Sequence, residues 1–362
     1  MTDALPAAGG DSAGLPPFDV GQLVLQARVD PVLAVGLVLA AGLYLWGLRE
    51  LRSRGDRWPP GRTLAWLGGG LGTIAVATMT GLGTYDETLF SVHMIQHMLL
   101  SMVAPVFLAL GAPITLALRT LPARGRQPLL AVLHSRVARV LTFPPLGWLL
   151  FVGSPFALYF SGWYPATLEH SWLHQLQHLH FLLVGCLFFW PLVGLDPLPG
   201  RLPHPARFLL VFAALPVHAI LGLSIMNMRE LIAADHYTRL GLGWVDPLAD
   251  QQVGGGLLWA SGDLVGLLML AAVVVQWMRA SDREAVRTDR QLDREQRARS
   301  AATGEGADGL LQPLWWEVPA PGPAAAGAPP GSTGGPTGPT AAPPGGGQPG
   351  VPNGRPAGRP QR

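Results

Sequence analysis

The chain contains no lysine, one cysteine and few charges: only 13% of its 362 residues are Asp, Glu, Lys or Arg, so all 25 basic residues are arginines. The lone Cys186 excludes an internal disulfide, a CxxC redox motif and a cysteine-based zinc site. A net charge of only +2 argues against nucleic acid as a partner. No HExxH is present, so the zincin arrangement with glutamate as general base is not available. Residues 1–30 carry Asp3, Asp11, Asp19 and Asp30 against Arg28 alone, and they lack the basic segment and apolar core of a signal peptide. They read as an extracytoplasmic tail rather than a cleaved leader.

What is abundant is hydrocarbon. With 49% hydrophobic residues and a mean hydropathy of +0.30, the composition lies outside the soluble globular class and inside the membrane class. Apolar runs of about 18–25 residues are long enough to span a bilayer, and they fall at 31–51, 63–83, 89–110, 145–162, 171–194, 206–226 and 254–278. The expected fold is therefore an all-α polytopic bundle of seven transmembrane helices, occupying residues 31–280.

Arginine placement orients it. Arg49, Arg52, Arg54, Arg57 and Arg62 join the first two runs, and Arg119, Arg124, Arg126, Arg136 and Arg139 join the third and fourth. The short loops 83–88 and 163–170 hold Asp86, Glu87 and Glu169 and no arginine. By the positive-inside rule the N terminus is expected outside and the C terminus inside, in the cell (plasma) membrane. Residues 112–140 are too short and too basic to cross and are expected to lie as short helices on the inner surface. Residues 227–253 form the one long outer loop, and 281–302 read as a charged, solvated cytoplasmic helix. From 303 to 362 Pro, Gly, Ala, Ser and Thr dominate, a composition that cannot bury enough surface to fold. Only Leu314, Trp315 and Trp316 interrupt this expected disordered tail.

Against this apolar background two matched pentapeptides stand out, His93-Met-Ile-Gln96-His97 and His174-Gln-Leu-Gln177-His178. An i, i+4 spacing puts both imidazoles on one helical face, and ionisable groups within spans usually mark a working site. Counting rise per residue, His97, His178 and His218 each lie roughly 12 Å below the outer surface and Asp263 roughly 13 Å. Four helices thus bring three histidines and an aspartate to one level, with His93 and His174 one turn above as an outer pair. A single intramembrane histidine such as His218 is ordinarily a hydrogen-bonded packing residue, but a shared depth and two matched patterns favour a metal site. Asp263 is equally suited to ligand, to outer-sphere partner, or to a protonated bond with a neighbouring helix. Gln96 and Gln177 are expected in outer-sphere or interhelical bonds. Met94, Met98 and Met102 form a second stripe on the third span; thioethers select Cu(I), though methionine is also common core filler. Three histidines plus Asp around a water would also suit an intramembrane zinc hydrolase. Paired histidines on two helices could instead ligate haem.

The segments HMIQHMLLSMVAPVFLALGAPITLALR (His93 to Arg119), PLVGLDPLPGRLPHPARFLLVFAALPVH (Pro191 to His218) and PLADQQVGGGLLWASGD (Pro247 to Asp263) resemble the polytopic CtaG-type cytochrome c oxidase assembly proteins. The likeness covers about residues 30–280. It implies an integral membrane factor that matures a haem-copper oxidase at its copper-acquisition stage, with oxidase subunits or a copper donor as partners besides the lipid bilayer. Together with the histidines, it favours a copper-handling assembly protein over an enzyme, with zinc hydrolase and haem-binding electron carrier as the alternatives.

Overall fold

The computed structural model describes residues 15–199 and 202–303. Residues 1–14 and the tail beyond 303, including Trp315 and Trp316, lie outside the described residues. The protein is 80% helical, with no strand among the described residues. Five helices are long and apolar enough to cross a membrane, or six if one bent pair counts as a single span. It is a multi-pass all-α membrane protein.

After a short helix, α1 (Gln22–Leu25), the first crossing is α2 (Pro31–Ser53). Its start is fixed by Asp30, whose carboxylate accepts from the amides of Val32 at 2.8 Å and Leu33 at 3.0 Å, and by Pro31, which needs no amide partner there. The expected crossing at 63–83 falls on consecutive shorter segments: α3 (Pro60–Leu64), a π-helical stretch (Ala65–Leu71) and α4 (Gly72–Met79), with α5 (Gly81–Tyr85) beyond a break at Thr80. Residues 15–30 pack on this end, where Tyr85 donates to the Pro16 carbonyl at 2.7 Å and Thr84 to that of Gln26 at 2.7 Å.

The helix carrying the first histidine pair is α6 (Phe90–Met98), continued by a π-helical stretch (Leu99–Val103) and α7 (Ala104–Leu110). Pro105 lacks an amide hydrogen, so the Ser101 carbonyl loses its usual helical donor. After the left-handed Ala112 (φ 47°) come three short helices, α8 (Pro113–Thr120), α9 (Ala123–Leu133) and α10 (Arg136–Leu141), in the segment expected to form short helices. Then α11 (Pro144–Tyr159) bends by 72° into α12 (Trp163–Glu169). The second histidine pair lies on α13 (Ser171–Val193), followed by α14 (His204–Met226), α15 (Ala234–Leu240) in the long loop, and α16 (Pro247–Thr303).

Two features set the histidine helices face to face. Gly185 of α13 lies against the backbone of the first histidine helix, where a Cβ would collide with the Ser101 carbonyl and come within 2.7 Å of Pro105 Cγ. At the other end Asp250 of α16 accepts from the Ser91 amide at 3.1 Å and from the Ser91 hydroxyl, pinning the first turn of α6. Phe151 of α11 stacks on Phe188 of α13 at 4.5 Å, bringing a third helix to the pair. The chain divides into two compact units, Met1–Gln291 and Leu292–Arg362. The first holds the bundle, and the second contributes the end of α16 to the described residues, where the charged side chains are exposed as expected of a solvated helix.

Candidate functional site

The tightest cluster of metal-ligating side chains joins the α13 histidines to the turn before α6. That turn closes through bonds from the Thr88 and Leu89 amides to the Tyr85 carbonyl at 2.9 and 2.8 Å, and it directs Asp86 inward. Asp86 Oδ2 lies 3.6 Å from His174 Nε2 and 3.6 Å from His178 Nε2. The three ligand atoms all fall within 4.8 Å of one another. These separations are too long for hydrogen bonds, yet near the edge of about 3.4 Å expected between two ligands about 2.1 Å from one tetrahedral ion.

Other groups prepare this set. Glu87 Oε1 accepts from His174 Nδ1 at 2.7 Å, which keeps the proton on Nδ1 and leaves the Nε2 lone pair facing Asp86. His174 Nε2, both ring nitrogens of His178 and the Thr88 hydroxyl are buried without a hydrogen-bond partner. Orphaned polar atoms are expensive in an apolar interior, and a bound cation would satisfy Nε2 of both histidines. Burial pushes the Asp86 carboxyl up to about 6 against the opposing pull of His174. A cation beside it would draw it back to the ionised state. The residues present therefore fit a metal ion: two imidazoles and a carboxylate, with one imidazole oriented by a second carboxylate.

Below this cluster lies a hydrogen-bonded layer. The His93 ring stacks beside His174 at 6.0 Å. The Tyr159 hydroxyl at the end of α11 sits 3.1 Å from His93 Nε2 and 3.1 Å from His97 Nδ1, and Gln177 Nε2 lies 3.2 Å from His93 Nε2. Gln96 donates to the Ala77 carbonyl at 3.0 Å, an interhelical bond of the expected kind. His97 stacks on Phe181 at 3.8 Å.

The other residues singled out by depth point elsewhere. His218 stacks on Phe151 at 5.8 Å and presses on Gly262, its Nε2 unpartnered. Asp263 accepts from the Trp259 indole one turn earlier at 2.8 Å. Among the described residues, His174 and His178 are brought together with Asp86, and His93 and His97 meet at Tyr159; His218 is near enough to His97 to interact electrostatically, but neither it nor Asp263 shares a hydrogen bond with either group. Met94, Met98 and Met102 lie in the apolar core, and Cys186 packs at the edge of another apolar cluster. Sequence reasoning missed Asp86, Glu87 and Tyr159. The signal for the two acids was present: adjacent carboxylates six and seven residues ahead of His93, read only for the sign of their loop.

The loop that carries α15 is bonded to the turn that carries Asp86 and Glu87. His236 Nε2 donates to the Glu87 carbonyl at 2.8 Å, and the Tyr237 and Tyr164 hydroxyls share a bond of 2.6 Å. Burial pushes the Tyr237 hydroxyl above its usual range, so it remains protonated. Gln251 clamps the same loop, accepting from the Ile232 amide at 2.7 Å and donating to the Glu230 carbonyl at 3.1 Å. Left-handed residues flank the helix, Ala233 at φ 54° and Gly241 at φ 58°.

Comparison with known proteins adds an independent line. The family model described as cytochrome c oxidase caa3 assembly factor (Caa3_CtaG) matches residues 42–280. Uncharacterized proteins of Mycobacterium bovis and Mycobacterium tuberculosis are each 40% identical over 286 residues, covering 76% of this chain and 43% of the relative. An uncharacterized protein of Mycobacterium leprae is 40% identical over 275 residues, covering 74% of this chain and 41% of its own. The chain thus spans less than half the length of the curated relatives it matches. No solved structure matches it.

Proposed function

The chain belongs to the cytochrome c oxidase caa3 assembly factor family, and on that premise we propose that it holds copper as cargo at Asp86, His174 and His178 and passes it to a haem-copper oxidase in the plasma membrane. The observation that carries this reading is the convergence of three ligand atoms within 4.8 Å, with Nε2 of both His174 and His178 without a hydrogen-bond partner. Imidazole suits copper, and cargo requires a site that binds without saturating the ion's preferences. Two imidazoles and one carboxylate form such an incomplete set, leaving a position for an incoming ligand of the recipient.

The same donor set favours a second reading. Two histidines, an acid and an open position also describe catalytic zinc sites, and zinc there would supply an activated water. In that reading Asp86, His174 and His178 hold the ion and Glu87 orients His174.

Deleting the gene separates the two. Loss of a copper-handling factor lowers oxidase activity and oxidase copper, and added copper restores activity at least in part, because mass action replaces delivery but not a missing catalyst. Loss of a zinc hydrolase leaves oxidase copper normal and causes a lipid or peptide substrate to accumulate. A deletion strain with fully copper-loaded, active oxidase overturns the proposal.

A further inference from the structure

A cavity whose lining includes none of the histidines lies between α2 and α8. It measures about 380 Å³ and its wall is almost wholly apolar, formed by Ala40, Leu43 and Gly47 on one side, Leu116 and Ala117 on the other, and Trp66 at the base. Small residues keep it open. A Cβ on Gly47 would meet Leu116 and nothing nearer than 3.4 Å, so backbone crowding does not demand glycine there.

The surrounding frame is rigid. Tyr44 donates to the Gly111 carbonyl at 2.9 Å, accepts from the Trp58 indole at 3.1 Å and stacks on Trp66 at 5.3 Å. Arg54, just past the end of α2, donates to the backbone carbonyls of Arg119 at 3.2 Å and Thr120 at 2.8 Å at the end of α8. The two helices are thus tied at their ends and packed through Leu48, Leu51 and Leu116, with the cavity beside that contact. Apolar voids of this size are costly when empty, since the cost rises with volume. Leu43 and Trp46, beside the opening, are 68% and 53% exposed, as lipid-facing residues are.

The charge at the rim identifies the occupant. Arg49, Arg52, Arg57 and Arg119 are exposed where α2 and α8 end, while the nearby Glu50 is already paired with Arg54 at 2.7 Å. Arg62, 4.9 Å from the ring of the buried Trp58, adds a further guanidinium near this end of α2. An apolar slot that opens beside unneutralised guanidinium groups complements a molecule with a hydrocarbon chain and an anionic head. We propose that this cavity binds one acyl chain of an anionic phospholipid whose headgroup rests on the arginines at the ends of α2 and α8. The inference is independent of the metal site.

The test uses the full chain reconstituted in vesicles of phosphatidylglycerol or phosphatidylcholine, extracted in detergent, with retained lipid counted by intact-protein mass spectrometry. Wild type should retain one phosphatidylglycerol per chain in preference to phosphatidylcholine. Ala117→Phe fills the cavity from α8 and Gly47→Leu from α2; either variant, if its helical circular dichroism is unchanged, should lose the retained lipid. Arg119→Gln should lower the preference for phosphatidylglycerol about fivefold, the fold-change for one arginine near an anionic headgroup. Equal retention of both lipids by wild type, undiminished retention in a correctly folded filled variant, or recovery of an isoprenoid quinone in place of phospholipid would overturn the proposal.

Discussion

Glu87 and His174 are joined by a 2.7 Å bond from the imidazole Nδ1 to the carboxylate, and the same Glu87 accepts from His236 through its backbone carbonyl. One residue therefore fixes the tautomer of a candidate ligand and also anchors the loop that carries α15. Ligand orientation and the α15 loop are coupled through a single position in the turn before α6.

The first prediction concerns ligand identity. Asp86→Asn, His174→Ala and His178→Ala should each lower bound metal toward zero in purified protein, whereas His218→Ala and Asp263→Asn should retain it, because those two side chains contact Phe151, Gly262 and Trp259 instead. Elemental analysis reads the result. Stoichiometric metal in all three cluster variants would show that the ion, if any, lies elsewhere.

The second concerns Glu87. Replacing it with Gln preserves shape but removes the charge that supports the His174 imidazole, so metal affinity should fall roughly 10–100-fold with no loss of helical content. Competition with a chelator of known affinity measures this. An unchanged affinity would make the Glu87–His174 bond a packing contact only.

The third concerns the loop. Tyr237→Phe removes the hydroxyl bond to Tyr164, a net loss of about 1 kcal/mol, and His236→Ala releases the Glu87 carbonyl. Both should speed metal exchange more than they weaken equilibrium binding, because neither residue is in the ligand set. Stopped-flow chelation compares the rates; exchange at the wild-type rate in the double variant would mean that access does not pass under α15.

The fourth concerns orientation. In a variant lacking Cys186, a cysteine at Asp235 should react with an impermeant thiol reagent in intact cells and one at Arg290 should not, as the arginine distribution requires. The reverse pattern would invert the topology and put the metal cluster at the inner face.

Much of the architecture was legible without coordinates. Runs such as 31–51 and 171–194 are helices because hydrocarbon offers the backbone no alternative partner, and Asp30-Pro31 marks a helix start by local chemistry alone. The family resemblance rested on contiguous motifs, which sequence carries directly. The span at 63–83 was harder: its apolar content is clear, but consecutive glycines at 68–70 lie where the helix changes to π geometry, and composition does not specify that change.

The sequence by itself determined that two helices carry paired imidazoles and set the expected depth of each, since rise per residue fixes position along an axis. It could not determine rotation about that axis or the distance between axes. Those were decided by Gly185 against Ser101, by Asp250 on Ser91 and by the bend after Tyr159, contacts made between segments remote in the chain. Depth therefore grouped His97, His178, His218 and Asp263, whereas facing surfaces grouped His174 and His178 with Asp86. Only tertiary packing chooses among residues at the same level, because it alone sets which faces of the helices meet.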